Sequence, residues 1–188
     1  MRSYINKVKR RVARPRTIDR EKLLDAAEQV LTGEGAGALS FGSIAEAAGV
    51  SKASVQSAFG TREHLLEALI GRGMAEEDKR FEQELAQGAR SRLDAHILAS
   101  EGQQTPAGRR TSVLLATLIA SGGQSEAMRD WYGRRLGPLN ATTEAERRER
   151  LVYLATEGAF LLRNLMGVEI DDHDWHEIFR DLQKMEAE

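Results

Sequence analysis

The stretch GVSKASVQSAFGTREHLL, residues 49–66, decides the fold. Ser51 precedes KASVQSAF and Thr61 precedes REHLL, and each offers a side-chain oxygen to the orphan N–H groups of a first helical turn. Gly60 between them tolerates the backbone conformation of a helix stop. The bracketed helix, Lys52 to Phe59, is too short to hold in water by itself. At about 100° per residue, Val55, Ala58 and Phe59 fall on one side. Lys52, Ala53, Gln56 and Ser57 face the other way, with Ser54 at the edge. The short helix is therefore expected to be anchored inward by Val55 and Phe59 and to present a small, polar outer face with one cation.

Upstream, Ser40 is placed to cap a second short helix ending at Ala48, with Ile44 and Ala47 or Ala48 inward, and Gly49 turns the chain between the pair. A first helix is expected from Asp19 as N-cap, with Ile18 and Leu23 as a hydrophobic staple and Leu23, Ala27, Val30 and Leu31 as its buried stripe. GEGAG, residues 33–37, ends it. No strand precedes that run and no Lys-Ser/Thr follows it, so it reads as a helix stop and not as a phosphate loop. Downstream, Leu65, Leu66, Leu69 and Ile70 form the apolar side of a fourth helix, which Gly71 and Gly73 are expected to kink.

Two short helices joined by a glycine turn and supported by a preceding helix make a helix-turn-helix, whose second helix enters the DNA major groove. A small face at Ala53 permits close approach to base edges. The N-termini at Ser40, Ser51 and Thr61 can meet phosphates. Charge placement agrees: residues 1–20 hold eight basic residues against Asp19 alone, whereas residues 71–188 hold 16 basic and 21 acidic ones. Residues 1–17 thus read as a flexible basic arm suited to a polyanion.

The 188 residues suffice for a substantial core, and the net charge of −2 says little beyond its uneven distribution. The absence of cysteine excludes disulfides, thiolate metal sites and cysteine nucleophiles. No secretory leader or membrane-length apolar run stands out, so a soluble, cytoplasmic protein is expected. Apolar residues recur at helical spacing almost throughout, with three prolines and no alternating β-branched run, which makes the class all-α. Further helices are expected near 91–101, 106–121, 125–136, 143–166 and 173–186, giving a helix-turn-helix domain over 18–70 and a helical domain over 71–188.

The segments REKLLDAAEQVL (20–31), LSFGSIAEAAGVS (39–51) and FGTREHLLEAL (59–69) resemble the tetracycline-repressor-like (TetR) family of bacterial transcription regulators. The resemblance implies an Ω-shaped homodimer bound to a double-stranded DNA operator. Its C-terminal domain would dimerise through the last two helices and hold a small-molecule effector of unknown identity. Carried over by motif position, Ser40 and Ser51 would cap and touch phosphates, Lys52, Ala53 and Ser54 would read bases, and Arg62 would meet the backbone. The chain departs from the family pattern at Gln56, where tyrosine is usual, and at Ala58, where a bulky aromatic or histidine is usual. Gln56 either pairs with adenine N6 and N7 or is a solvated surface residue.

In the C-terminal half, Trp131, Tyr132, Leu114, Leu118, Leu154 and Leu161 are candidate cavity lining, though an apolar stripe at helical spacing is also what plain core requires. Glu157 and Arg163 interrupt the apolar run LVYLATEGAFLLRNLMG; each must lie on a polar side or find a partner, and for Glu157 a ligand-facing role is one option. His173 and His176 among Asp171, Asp172, Asp174 and Glu177 are read as a helix N-terminus whose acids complement the dipole, and not as a metal site. No cofactor is called for, and no nucleophile and base pair suggests an enzyme. The expected function is a ligand-responsive repressor of a near-palindromic operator, with a regulator lacking a small-molecule effector as the alternative.

Overall fold

In the computed structural model, residues 19–102, 126–136 and 140–187 are described. The arm at 1–17, Ile18, the helix expected at 106–121, and with it Leu114 and Leu118, lie outside them. The described residues are all-α: α1 (Arg20–Glu34), α2 (Phe41–Ala48), α3 (Lys52–Phe59), α4 (Arg62–Ala86), α5 (Arg92–Glu101), α6 (Glu126–Leu136), α7 (Glu144–Asn164) and α8 (Asp172–Ala187), with one 3-10 turn at Ala36–Ala38. No helix among them is long and apolar enough to cross a membrane.

Helix starts follow local chemistry. The side chains of Asp19, Ser40, Ser51, Thr61, Ser91 and Thr143 each accept a hydrogen bond from a first-turn N–H of the helix that follows. Gly35 ends α1 at φ +83°, a conformation that a Cβ would strain.

α1 through the first turns of α4 share one core. Leu23, Ala27, Ile44, Val55, Phe59, Leu65 and Leu69 are all nearly or fully buried in it. Burying a side chain of the size of Val55 or Phe59 contributes roughly 1.5–3 kcal/mol, which is what allows eight-residue helices to persist. On α2, Ile44 and Ala45 point inward, Ala48 is half-buried and Ala47 is exposed.

α4 runs as one hydrogen-bonded helix through Gly71 and Gly73. An interior glycine costs a helix only about 1 kcal/mol. The burial of Leu69, Ile70 and Phe81 on either side outweighs that cost.

A second core joins α5, α7 and α8 around Ile97, Val152, Phe160, Trp175, Phe179 and Leu182. Trp175 packs tilted against Phe179, with ring centroids 4.5 Å apart, and donates its indole N–H to the Glu101 carbonyl at 3.1 Å. The guanidinium of Arg163 lies over the Trp175 ring and bonds Asp172 at 2.7 Å, so this interrupting arginine of α7 is a structural partner. α4 packs against α1 and α3 at one end and against α5 and α6 at the other, and so is the strut between the two cores.

Candidate nucleic-acid interface and interior cavity

At α2, Ser40 and Ser43 form a reciprocal capping box: Ser43 N donates to Ser40 Oγ at 3.1 Å and Ser40 N to Ser43 Oγ at 3.0 Å. The Ser43 hydroxyl also donates to the Ala38 carbonyl at 2.7 Å, locking the 3-10 turn to the helix start. Gly49 at φ +65° closes α2, while Val50 N bonds the Ala45 carbonyl at 2.9 Å. Two residues later, Ser51 Oγ accepts from Ser54 N at 3.1 Å and starts α3. Val55 and Phe59 are buried, and the guanidinium of Arg20 caps the Phe59 ring at 4.9 Å, pinning the start of α1 to the end of α3.

The outer side of α3 then carries Lys52, Ala53, Gln56 and Ser57, all exposed. Ser54 is half-buried, and its hydroxyl bonds Ser51 Oγ at 2.8 Å. Thr61 caps α4 by accepting from His64 N at 3.2 Å. The backbone N–H of Glu63 and the Thr61 hydroxyl hold the Glu63 carboxyl below its ordinary pKa. The Glu63 carboxylate thus sits at that N-terminus, and the neighbouring Arg62 is exposed.

A cavity of about 50 Å³ lies between α4, α5, α6 and α7. Ile70, Gly73 and Met74 of α4 form one wall, and Trp131, Tyr132 and Phe160 form the aromatic one. Trp131 and Tyr132 meet edge to face at 5.0 Å. Glu77 in the wall is ion-paired with Arg80. Arg135 is held by Asp78 at 2.7 Å, a carboxylate that also accepts from Trp131 Nε1 at 2.9 Å.

At the floor, His96 stacks on Tyr153 with ring centroids 4.4 Å apart, and its Nε2 stands 3.2 Å from Glu157 Oε1. Burial, and then the Glu157 charge, pushes the phenol pKa of both Tyr132 and Tyr153 up, so both stay protonated beside the carboxylate.

Two family profiles match the chain. Residues 23–69 match "Bacterial regulatory proteins, tetR family", and residues 90–187 match "Tetracyclin repressor-like, C-terminal domain". The chain belongs to the TetR family.

Solved structures agree in fold. A TetR-family transcriptional regulator from Rhodococcus sp. is 21% identical with a TM-score of 0.61, over 88% of this chain and 97% of that one. A transcriptional regulator from Streptomyces coelicolor A3(2) is 21% identical with a TM-score of 0.62, over 90% and 98%. The multidrug binding protein EbrR, complexed with imidazole, is 19% identical with a TM-score of 0.57, over 87% and 93%. No curated protein matches the chain.

Within this TetR-family fold, the residues singled out in the sequence fall into separate places. Ser51, Lys52, Ala53, Ser54, Gln56 and Ser57 lie on α3 or at its start, Thr61 and Arg62 follow it at the start of α4, and Ser40 caps α2. Trp131, Tyr132 and Glu157 line the cavity. Leu154 does not: it is 46% exposed on the outer side of α7. Leu161 is half-buried and packs against the second core. An apolar residue at helical spacing fits a core face, a cavity or an outer stripe equally, and only tertiary packing separates the three.

Asp171 accepts from Asp174 N at 2.8 Å as the cap of α8, and His176 bonds Glu101 at 2.7 Å. His96 and Tyr153 went unnoticed in the sequence. A lone histidine in the apolar run of α5 was the available signal, but its partner lies some 60 residues away.

Proposed function

We propose that the chain is a homodimeric, cytoplasmic, ligand-responsive repressor. It would bind a palindromic operator through Lys52, Ala53, Ser54, Gln56 and Ser57, with Ser40, Ser51, Thr61 and Arg62 meeting the backbone. Residues 1–17 would serve as a basic arm, 18–70 as the DNA-binding domain and 71–188 as the effector and dimerisation domain. One observation carries the reading. α4 lines the cavity with Ile70, Gly73 and Met74, while Arg72, within the same turn, bonds Asp25 of α1 at 2.5 Å.

The cavity volume of about 50 Å³ is far below the roughly 300–1,000 Å³ of ordinary ligand pockets. A ligand of drug size must therefore part α4 from α5, α6 and α7. Moving α4 would carry α1 and α3 with it and change the spacing of two recognition helices, which a two-fold operator requires at about 34–36 Å or a multiple. EbrR, a protein of the same fold, is described as multidrug binding.

The test is selection of an operator from random DNA with the full chain, followed by a small-molecule screen for compounds that both raise the melting temperature and release the operator. Recovery of no symmetric sequence would sink the operator reading. An operator with no releasing compound would favour a regulator without an effector.

A further inference from the structure

Among the described residues, the cavity lining holds one buried polar atom without an aligned hydrogen-bond partner, His96 Nε2. Buried polar groups in native proteins are nearly always satisfied, so an unsatisfied imidazole nitrogen in a cavity wall marks a place for a missing partner. His96 is only 5% exposed, and its Nε2 is 3.2 Å from Glu157 Oε1 without hydrogen-bond alignment. The Glu157 oxygen can only accept, so the misaligned pair leaves both atoms open to a third group that supplies N–H donors.

The charge balance around them points the same way. Asp78 has Arg135 and Glu77 has Arg80, but among the described residues Glu157 has no arginine or lysine ion pair. Its neighbours are an imidazole and two phenols. A half-buried carboxylate in such surroundings gains most from a cation that brings its own N–H groups. An anion would find the opposite: Arg135, the guanidinium in the wall, is already bound to Asp78 and stacked over Phe81 at 4.3 Å and Trp131 at 4.4 Å. Tyr132 and Phe160 in the lining offer further π surface for a flat ring, and aromatic rings attract positive charge, as Arg135 over Trp131 already shows. Met74 and Met128 in the same lining adapt readily to different outlines.

We propose that the cavity takes a flat aromatic monocation whose N–H donors bridge Glu157 and His96 Nε2 while its ring lies against Tyr132 and Phe160. This rests on the reading of the cavity as the effector site. An amidinium or an arylammonium meets the requirement, since each presents more than one N–H from a single charged centre. The smallness of the cavity makes a one-ring ligand the first to fit.

Three one-ring probes of nearly equal shape separate the alternatives: benzamidine (cation), benzamide (neutral) and benzoate (anion). Each is titrated into the full chain by calorimetry and by the fluorescence of Trp131 in the cavity wall. Benzamidine is expected to bind at least tenfold tighter than benzamide, with no benzoate binding. Glu157→Gln is expected to remove at least tenfold of the benzamidine affinity and leave benzamide unchanged. Should Glu157→Gln not fold, Glu157→Asp keeps the charge and is expected to weaken benzamidine while preserving its preference over benzamide.

Binding of none of the three, a preference for benzoate, or benzamidine affinity unchanged in Glu157→Gln overturns the proposal. The underlying reading fails separately. Benzoate or benzamide that binds and releases operator DNA rejects the cation and keeps the effector site. Benzamidine that binds through Glu157 without changing operator affinity keeps the cation and rejects effector control.

Discussion

Arg72 of α4 reaches Asp25 of α1 with a 2.5 Å hydrogen bond, and the same guanidinium lies 3.4 Å from Glu28, 3.7 Å from Glu21 and 3.8 Å from Glu76. One cation thus holds together four carboxylates at the junction of the two cores. Arg72→Gln leaves those carboxylates facing one another, and is expected to lower stability by about 1–2 kcal/mol in urea unfolding, less at high salt. It also loosens α1 from the helix that lines the cavity. A cavity ligand should then bind with near-normal affinity but release operator less completely. A variant as stable as the wild type, with full release, would show that Arg72 carries neither load.

On α3, the exposed Lys52 and Gln56 point away from the buried Val55 and Phe59, while Arg62 stands at the start of α4. If the first two read bases, Lys52→Ala and Gln56→Ala should relax sequence preference at particular operator positions, each by roughly 1–3 kcal/mol. Arg62→Ala should weaken binding to specific and random DNA alike and lower the salt slope by about one. Equal losses on both kinds of DNA for all three variants would remove α3 from base reading. An unchanged preference in Gln56→Ala alone would make that residue solvated surface.

The legible parts of this fold are those fixed within a few residues. Ser40, Ser51 and Thr61 cap their helices through contacts three residues away, and Gly49 and Gly35 stop helices by their own backbone conformation. What holds α4 through Gly71 and Gly73 is not local to them, because it depends on what Ile70 and Phe81 pack against. The cavity floor was hidden for the same reason. Glu157 left several readings open in the sequence, and its surroundings come from His96 on α5 and Tyr132 on α6. Nothing local to α7 could choose among them.

Glu146 in the first turn of α7 gives the chain an acid-sensitive element. Its Oε2 accepts from Thr142 N at 2.7 Å, Thr142 Oγ1 at 2.8 Å and Thr143 N at 2.9 Å. These donors, led by the Thr143 N–H, hold the carboxyl at about 2 against an ordinary 4.5. A value depressed by folding means that the stabilisation is complete above about pH 4.5 and drains away as pH falls toward 2. Glu146→Gln removes the charge at every pH. Thermal melts are therefore expected to show a deficit for the variant at pH 6 that narrows steadily below pH 4.5. A deficit of constant size across that range would mean that charge at Glu146 does not matter.

The outer side of α7 carries an apolar stripe, with Leu151 57%, Leu154 46% and Leu162 48% exposed and Met166 68% exposed just beyond the helix. The four positions recur at intervals of three, eight and four residues, keeping to one face. Gly158 sits within that face, and a Cβ there would meet nothing within 4 Å, so a second helix could approach closely. If this stripe is the homodimer seam, the wild type should sediment at twice the 20.8 kDa chain mass. Leu162→Arg, at an exposed position, should yield a monomer with unchanged helical circular dichroism. Such a monomer presents one recognition helix per molecule and should bind a palindromic operator far more weakly than the dimer, while a single half-site is bound as before. A Leu162→Arg protein that remains dimeric would place the seam on another face of the C-terminal helices.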